Sequence, residues 1–393
     1  MGEHLTLADV CLQITDCEHK TAPAAPRGTE YGYSVGTPCI KNGRLLLDAA
    51  KRVDRATYEK WTARAVPQKD DIILTREAPV GEAALLDGNS RVCLGQRTVL
   101  LRPDPLKIDP RFLHYLLLSP ALQERMRIRA EGSTVPHLNV GDIRSLQLGE
   151  LPPLREQHVT AAILGALDDK IAVNERIARS CDELRALRFV DFIQSSPSKV
   201  IERPLSSFAD FVNGRAFTKN ATGTGRMVIR IAEINSGPGG STVYNDIDVP
   251  DRHLARPGDV LFAWSGSLTV ARWFRPEAIV NQHIFKVIPR DGLPNWLLFE
   301  LIRTKLKKFQ SIAADKATTM GHIQRRHLDE PVSAPADDVV SRLDSQLGPL
   351  WERALTAEQE SLTLAALRDT LLPKLMSGEL RVRDAEKAVE EAL

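Results

Sequence analysis

The chain has 393 residues, of which 43% are hydrophobic, and its formal net charge is +1. This length favours two or three domains over a single core. The balanced charge excludes a strong overall basic field, so any binding of nucleic acid must depend on local patches. The five cysteines form no C-x-x-C pair, and their odd number argues against a disulfide framework and for a reduced setting.

The sequence has no feature of a membrane or secreted protein. No apolar run approaches the roughly 18 residues of a membrane span. The N-terminal residues MGEHLTLADV lack the charged and apolar regions of a signal peptide. We therefore predict a cytoplasmic protein.

Five pairs of similar segments occur in the same order along the chain, which indicates that a whole domain is duplicated. The distance between partners falls from about 200 residues at the first pair to about 185 at the last. The pairs are LTLADV at Leu5 with SSFADF at Ser206, DDIILTREAPVGEAAL at Asp70 with GDVLFAWSGSLTVARW at Gly258, LGQRTVLLRP at Leu94 with VNQHIFKVIP at Val280, DPRFLHYLLLS at Asp109 with LPNWLLFELIR at Leu293, and AEGSTVPHLNVGDI at Ala130 with ADKATTMGHIQRRHL at Ala314.

Each copy is predicted to mix strands and helices. DIILT and RTVLLRP in the first copy, like DVLFA and HIFKVIP in the second, are short runs rich in the apolar residues typical of strands. Residues 111–130 and 295–314 have apolar residues at helical spacing. Pro120 predicts a break in the first of these helices.

A long helix is predicted at the end of each copy, over 151–195 and 337–380. Apolar residues recur there at steps of three and four, as in a coiled-coil seam. Two amphipathic helices that each pack on their own domain would also show this pattern. Their length of roughly 35 to 40 residues, about three times the mean, favours packing against each other. The seam predicted in the first helix comprises Ile163, Leu164, Leu167, Ile171, Asn174, Ile177, Cys181 and Leu184.

The predicted fold is therefore α/β (mixed α+β), with two pseudo-repeated globular domains joined by two long antiparallel coiled-coil helices. Polar residues of the first helix are assigned to a partner-docking face or to the seam: Asp168, Asp169, Lys170 and Asn174. The predicted boundaries are 1–150 for the first domain, 151–195 for the first helix, 196–336 for the second domain, 337–380 for the second helix and 381–393 for an acidic C-terminal tail.

The long helices also carry a family resemblance. LPPLREQ and ILGALDDKIAVNERI in the first, and LAALRDTLLPKLMSGELRV in the second, resemble the two conserved regions of specificity subunits of type I restriction–modification systems. The resemblance covers nearly the whole chain. It implies that the globular domains are target-recognition domains, each of which reads one half of a bipartite site on double-stranded DNA in a prokaryotic cytoplasm.

The same resemblance implies the division of labour in the complex. Two modification subunits would dock on the helices and methylate adenine with S-adenosylmethionine. Restriction subunits, where these exist, would add cleavage that depends on ATP and Mg²⁺. The chain has no G-x-x-x-x-G-K-[ST] phosphate loop, no Asn-Pro-Pro-aromatic stretch and no histidine spacing typical of a metal site. We therefore expect no catalytic residue, no bound cofactor and no metal in this chain.

Candidate DNA-binding residues fall into a basic group and a polar group. Lysine and arginine on the second-copy helix and after it can bind phosphates, which adds affinity without sequence information, although a solvated helix face has the same composition: Lys305, Lys308, Arg325 and Arg326. Polar side chains at matched strand ends and loops can contact base edges, although such residues in turns often bind backbone instead: Arg76, Gln96, Arg97, Ser133, Thr134, His137 and Asn139 in the first copy, and Trp264, Ser265, Ser267, Asn281, Gln282, His283, Lys316, Thr318, Thr319 and His322 in the second.

Two other functions remain open from the sequence. The chain could be a coiled-coil scaffold whose duplicated domains bind protein, or a nuclease in its own right. Binding to DNA that weakens steeply with rising salt would favour a DNA reader over a scaffold. Cleavage of DNA by the chain alone with metal would favour a nuclease. Because the two copies carry different residues at matched points, a DNA reader of this kind would have an asymmetric target.

The long helices predict the spacing of a bipartite site. About 38 residues at 1.5 Å each span roughly 57 Å, whereas one turn of B-DNA is roughly 34–36 Å. We expect that deletion of one heptad from each helix shortens the spacer tolerated between the two half-sites. Sequencing of methylated sites measures this length, and an unchanged spacer would contradict the prediction.

Overall fold

The structure is a computed structural model that describes residues 5–131, 136–314 and 321–392. The chain divides into two compact units. Met1–Asp169 and Leu364–Leu393 form unit 1, and Lys170–Thr363 forms unit 2. Unit 1 therefore takes its residues from both ends of the chain.

The first half of the chain contains six α-helices and nine strands among its described residues. The helices are α1 (Leu7–Val10), α2 (Arg55–Trp61), α3 (Pro110–Leu118), α4 (Pro120–Ala130), α5 (Val140–Arg144) and α6 (Leu154–Ser195). The strands are β1 (Cys11–Asp16), β2 (Gly32–Val35), β3 (Ile40–Lys41), β4 (Arg44–Leu45), β5 (Lys51–Val53), β6 (Ile72–Thr75), β7 (Ala83–Leu85), β8 (Val92–Leu94) and β9 (Thr98–Pro103).

The main sheet of unit 1 is antiparallel, with the strand order β1-β9-β6-β7. Alternate side chains of a strand point to opposite faces, and here both faces are buried. Ile72 and Leu74 contribute to a core with Phe112 and Met126, while Ile73 between them contributes to a second core with Val35. Burial on both faces explains why β6 is an uninterrupted apolar run. A second sheet, β5-β2-β8, pairs β2 with β8 in parallel.

The predicted break at Pro120 is confirmed. Ser119 ends α3, and its Oγ accepts a hydrogen bond from the Leu122 N–H at 3.4 Å, so the same residue also caps α4. Proline suits the first turn of a helix because an N–H there needs no partner within the helix. The two helices therefore follow each other directly.

The rest of the chain contains four α-helices and ten strands among its described residues. The helices are α7 (Ile231–Ser236), α8 (Asn295–Ala314), α9 (Asp337–Met376) and α10 (Val382–Glu390), the last of which lies in the predicted tail. The strands are β10 (Val200–Pro204), β11 (Ala209–Asn213), β12 (Arg226–Ile229), β13 (Tyr244–Asn245), β14 (Leu254–Ala255), β15 (Val260–Ala263), β16 (Thr269–Arg272), β17 (Ala278–Val280), β18 (Ile284–Pro289) and β19 (Pro331–Pro335).

Unit 2 repeats the topology of unit 1. Its main sheet is antiparallel with the order β11-β18-β15-β16, which matches β1-β9-β6-β7 strand for strand. Its second sheet pairs β12 with β17 in parallel, as β2 pairs with β8. The predicted strands and the helix over 295–314 are present. The predicted duplication is therefore confirmed by strand order and direction.

The two long helices pack antiparallel. α6 has 42 residues and α9 has 40. In unit 2, Asn174 Nδ2 donates to Glu360 Oε2 at 2.9 Å, and farther along α6 Ala178 packs against Ala354 and Ala357. Residue numbers thus rise along α6 as they fall along α9. This confirms the predicted antiparallel helix pair.

The polar residues of α6 mostly face its partner. In unit 1, Asp168 accepts hydrogen bonds from Tyr115 Oη at 2.6 Å and from Arg368 Nη1 at 2.7 Å. In unit 2, Lys170 pairs with Glu360 and Asn174 is fully buried. Asp169, in contrast, has a side chain that is 65% exposed. Asp168, Lys170 and Asn174 therefore belong to the seam.

Near its C-terminal end, α6 buries different residues from those predicted and also packs against α8. The prediction that Leu184 lies in the seam is wrong, because this residue is 44% exposed. Arg185 and Phe189 are buried in its place, and Phe189 packs edge-on against Trp296 of α8 with ring centroids 6.4 Å apart. The C-terminal part of α6 thus packs against a globular domain as well as against a helix.

A buried charge network joins α6, α8 and α9 within unit 2. Arg185 Nε donates to Glu300 Oε1 at 3.0 Å, and neither side chain is exposed. Arg272 Nε donates to Glu358 Oε2 at 2.8 Å. The two guanidinium groups lie 5.0 Å and 4.6 Å from the ring centroid of Trp351. The aromatic ring and the acidic partners together offset the desolvation penalty of the two buried arginines.

We expect Arg185→Met to destabilise unit 2 by about 3–5 kcal/mol, because it leaves the Glu300 carboxylate buried without this partner. Burial already raises the pKa of Glu300, and Arg185 opposes that rise. A carboxyl whose pKa is higher in the folded state loses its contribution to stability as the pH rises through that pKa. The variant should therefore lose more stability between about pH 5 and pH 8 than the parent does. Urea unfolding at the two pH values measures both effects.

Two variants serve as controls for this prediction. Arg188→Met removes an exposed arginine from the same helix and should change stability by less than about 0.5 kcal/mol. Arg185→Met combined with Glu300→Leu removes both charges and should recover much of the loss. Equal unfolding midpoints for Arg185→Met and Arg188→Met would contradict a stabilising role of the network.

Candidate nucleic-acid interface

Three segments of unit 1 meet at one end of its main sheet. β6 and β9 pair with Thr75 opposite Thr98, so the residues that follow β6 lie beside those that precede β9. The Arg76 N–H donates to the Arg97 carbonyl at 2.8 Å, and the Leu138 N–H donates to the Arg76 carbonyl at 2.9 Å. Backbone hydrogen bonds thus bring together loops that are far apart in the sequence.

Arg76 fastens these segments with its side chain. Its Nε donates to the Leu138 carbonyl at 2.8 Å, and its Nη1 donates to Asp16 Oδ1, at the end of β1, at 2.8 Å. The side chain is only 14% exposed. Its Nε and Nη1 therefore give Arg76 a positioning role, and its contact with DNA stays a prediction.

Several predicted residues line one open cavity of about 330 Å³ in unit 1. Its lining is polar and carries both signs of charge: His19, Arg76, Glu77, Gln96, Arg97 and His137. Gln96 Nε2 donates to the His19 carbonyl at 3.2 Å, and Arg97 Nε pairs with Glu77 Oε1. Gln96, Arg97 and His137 are exposed. The cavity can therefore offer hydrogen-bond donors and acceptors to a ligand at the surface.

Unit 2 has the same backbone arrangement with different side chains. Ala263 of β15 lies opposite Ile284 of β18. The Trp264 N–H donates to the His283 carbonyl at 3.1 Å, and the Ile323 N–H donates to the Trp264 carbonyl at 3.1 Å. Trp264 thus replaces Arg76, and His283 replaces Arg97. Arg97 and His283 even share a left-handed backbone, with φ of +67° and +72°, which is uncommon for residues other than glycine.

The side-chain contact between Arg76 and Asp16 also has a counterpart in unit 2. Trp264 Nε1 donates to Asn213 Oδ1, at the end of β11, at 2.8 Å. Asn213 lies opposite Phe285 of β18, as Asp16 lies opposite Val99 of β9. An Arg–Asp ion pair in one unit is thus replaced by a Trp–Asn hydrogen bond in the other. The Trp264 ring also lies near His283 and His322, with ring centroids 5.1 Å and 6.3 Å away.

Comparison with known proteins agrees with this arrangement. Residues 19–180 match the family model of the type I restriction modification DNA specificity domain. These residues of the chain are therefore similar to that domain. This region holds the unit 1 cavity with its lining residues.

Known relatives extend the similarity beyond this domain. The type I restriction enzyme MjaIX specificity subunit of Methanocaldococcus jannaschii is 22% identical over 370 residues, which cover 85% of this chain and 83% of the relative. A putative type I specificity subunit of Mycoplasma genitalium is 32% identical over 85 residues, 22% of this chain and 21% of the relative. The predicted resemblance to specificity subunits is confirmed.

The fold also matches a solved structure. This chain aligns with the crystal structure of a type I restriction-modification system S subunit from M. genitalium. The alignment covers 94% of this chain and 95% of that subunit, with a TM-score of 0.57 and 17% sequence identity. At this level of identity the match concerns the fold.

Some predicted residues serve the structure of their own unit. Asn281 is buried, and its Oδ1 accepts from the Phe217 N–H at 3.1 Å. Ser265 is buried as well. Asn139 caps α5 through a hydrogen bond from the Asp142 N–H at 2.8 Å. Backbone satisfaction accounts for the side chains of Asn139 and Asn281, and their contact with bases stays a prediction.

The predicted basic patch of unit 2 is partly neutralised. Lys308 Nζ pairs with Glu330 Oε2 at 2.6 Å, and Lys305 is half-buried. Arg325 and Arg326, in contrast, are exposed on a short 3₁₀ helix (Arg325–Asp329). The two arginines are therefore the better candidates for phosphate contact.

The remaining predicted residues divide by what the structure describes. Ser267, Gln282 and His322 are exposed in unit 2. Five predicted residues lie outside the described residues: Ser133, Thr134, Lys316, Thr318 and Thr319. These belong to stretches that adjoin His137 and His322 in the sequence.

The structure adds residues that the sequence prediction does not include. They are Asp16, His19 and Glu77 in unit 1 and Asn213 in unit 2. The predicted match of LTLADV with SSFADF does not align Asp16 with Asn213, whereas strand pairing does. The sequence match has an offset of 201 residues and the strand pairing an offset of 197, so sequence matching missed the pair.

Among the described residues, no group of three or more His, Cys, Asp and Glu side chains could hold a metal ion. No described helix is long and apolar enough to cross a membrane.

We expect Arg76→Met to destabilise the loop cluster of unit 1 by about 1–3 kcal/mol, because Asp16 and the Leu138 carbonyl lose a donor. Faster hydrogen exchange of the amides at 137–139 would show local loosening. The matched variant in unit 2 is Trp264→Phe, which keeps a ring but removes the hydrogen bond to Asn213. Arg27→Met, at an exposed arginine of unit 1, is the control. Exchange in Arg76→Met that equals the control would refute the positioning role.

Proposed function

We propose that the chain is the sequence-specific DNA-binding subunit of a type I restriction–modification complex. The observation that supports it best is the repeated backbone arrangement at the sheet ends. Each unit holds three loops in the same hydrogen-bonded frame, yet the side chains on the frame differ. A rigid frame with exchangeable polar side chains suits base recognition, since sequence is read by side chains at base edges.

The proposed target is bipartite and asymmetric. Each unit would read one half-site. Arg97, Glu77 and His137 in unit 1 correspond to His283, Ser265 and His322 in unit 2. Because the first two of these positions offer different donors and acceptors, the two half-sites should differ in sequence.

The proposed partners are two modification subunits and, where these exist, restriction subunits. The methyl donor S-adenosylmethionine, and ATP with Mg²⁺, would bind to those partners, so this chain would direct catalysis without performing it. α6 offers an apolar surface for docking. Val173, Leu184 and Leu187 are 37%, 44% and 70% exposed, and exposed apolar side chains in a cluster are typical of interaction sites.

A scaffold that binds only protein is the alternative, and salt dependence of DNA binding separates the two. A DNA reader that contacts 6–10 phosphates should lose about 10³–10⁵ in affinity when the salt rises from 50 to 200 mM. Fluorescence anisotropy with a labelled duplex measures this loss. Absence of binding at low salt, with the modification subunit present, would refute the proposed function.

We further expect Arg325→Ala with Arg326→Ala to weaken binding to all duplexes alike and to reduce the salt slope by about 1 for each arginine that contacts a phosphate. Arg188→Ala, at an exposed position on α6, is the matched control and should leave the slope unchanged. A loss of affinity restricted to one sequence would contradict phosphate contact by these arginines.

A further inference from the structure

Arg97 and Glu77 form a pair of opposite charge at the surface of unit 1. Their side chains are 54% and 26% exposed, and both line the cavity of the specificity domain. The recorded contact joins Arg97 Nε and Glu77 Oε1. A guanidinium has two further nitrogens and a carboxylate has a second oxygen. The pair can therefore present donors and an acceptor side by side to a ligand.

The backbone fixes where the two side chains start. The Arg97 carbonyl accepts from the Arg76 N–H at 2.8 Å, and Glu77 forms an antiparallel bridge with His137. Arg76 is itself tied to Asp16 and Leu138. The two Cα positions are therefore set by a hydrogen-bonded frame, which lowers the conformational entropy lost when the pair binds a ligand.

We propose that Arg97 and Glu77 together read one G·C base pair in the half-site bound by unit 1. This inference rests on the proposed function and names the base pair that the two side chains fit. In the major groove guanine offers its N7 and O6 as acceptors, and cytosine offers its N4 amino group as a donor. Arginine binds the two guanine acceptors, and a carboxylate accepts from the cytosine amino group.

The same pair rejects an A·T base pair. Adenine places its N6 amino group where guanine has O6, so two donors would face each other at Arg97. Thymine places its O4 acceptor where cytosine has an amino group, so two acceptors would face each other at Glu77. Each mismatch leaves a desolvated polar group without a partner. Discrimination thus arises from repulsion as well as from attraction.

The acidic partner distinguishes this pair from a phosphate contact. An isolated surface arginine binds phosphate without reading sequence. A carboxylate beside it repels phosphate and lowers the local positive potential. Glu77 therefore favours a base edge over the DNA backbone as the ligand of Arg97.

Unit 2 provides an internal comparison. The equivalent positions hold Ser265 and His283, and Ser265 is buried. Neither residue reproduces an arginine fork beside a carboxylate. The requirement for this G·C pair should therefore be confined to the half-site of unit 1.

The experiment uses the full chain with its modification subunit. Duplexes selected from a random pool define the preferred site, and anisotropy measures the affinity for each single base-pair change. We expect one G·C pair in one half-site whose change to A·T weakens binding by about 5- to 150-fold. In Arg97→Ala and in Glu77→Gln this penalty should fall by at least about threefold at that pair, because each variant loses one of the two base contacts, while penalties elsewhere persist. His283→Ala should leave it intact.

Salt dependence separates base contact from phosphate contact. If Arg97 reads a base, Arg97→Ala should keep the salt slope of the parent, whereas loss of a phosphate contact would reduce it by about 1. Arg97→Lys, which keeps the charge but not the fork, should lose most of the discrimination while it folds like the parent.

The outcomes distinguish this inference from the proposed function. A preferred bipartite site without a G·C pair that responds to both variants overturns the inference and leaves the function standing. Arg97→Ala that weakens binding to all sequences alike, with a reduced salt slope, also overturns it. Selection of no preferred site at all would overturn the function together with the inference.

Discussion

Antiparallel pairing of two central strands in each unit is the constraint on which the candidate interface depends. β6 with β9, and β15 with β18, end at the same level, so the residues beyond their ends are neighbours whatever their side chains. A third segment joins by backbone hydrogen bonds to Arg76 or Trp264. Since these bonds use only main-chain atoms, the side chains at the surface are free to differ between the units without loss of the frame.

The secondary structure could be predicted from the sequence because it depends on local patterns. Short apolar runs such as DIILT predict strands, and Pro120 predicts where one helix ends and another begins. The duplication is visible because both copies keep these apolar runs. Gln96 and Arg97 could be named as candidates because they precede a strand, and His137 because it lies in a polar loop with a counterpart in the second copy.

Side-chain roles could not be predicted, because they depend on tertiary partners that no local pattern specifies. Arg76 resembles a ligand-binding residue in the sequence, but Asp16, sixty residues earlier in the chain, engages it. Asn281 resembles a residue that contacts bases in the sequence, but its Oδ1 accepts a hydrogen bond from the Phe217 N–H. Leu184 continues the heptad spacing, but Arg185 and Phe189 are the residues that α6 buries at this point. In each case contacts with residues distant in the sequence determine the role of the position.

The replacement of Arg76 by Trp264 has an optical consequence. Of the five tryptophans, Trp264 lies half-buried among polar groups at the sheet end, with the His283 ring 5.1 Å away. Indole emission depends on the polarity and proximity of such neighbours. Unit 2 therefore carries an intrinsic fluorophore within its loop cluster, whereas unit 1 has an arginine at the equivalent point. A change in the emission of Trp264 would therefore report on the surroundings of the unit 2 loop cluster and not on those of its counterpart in unit 1.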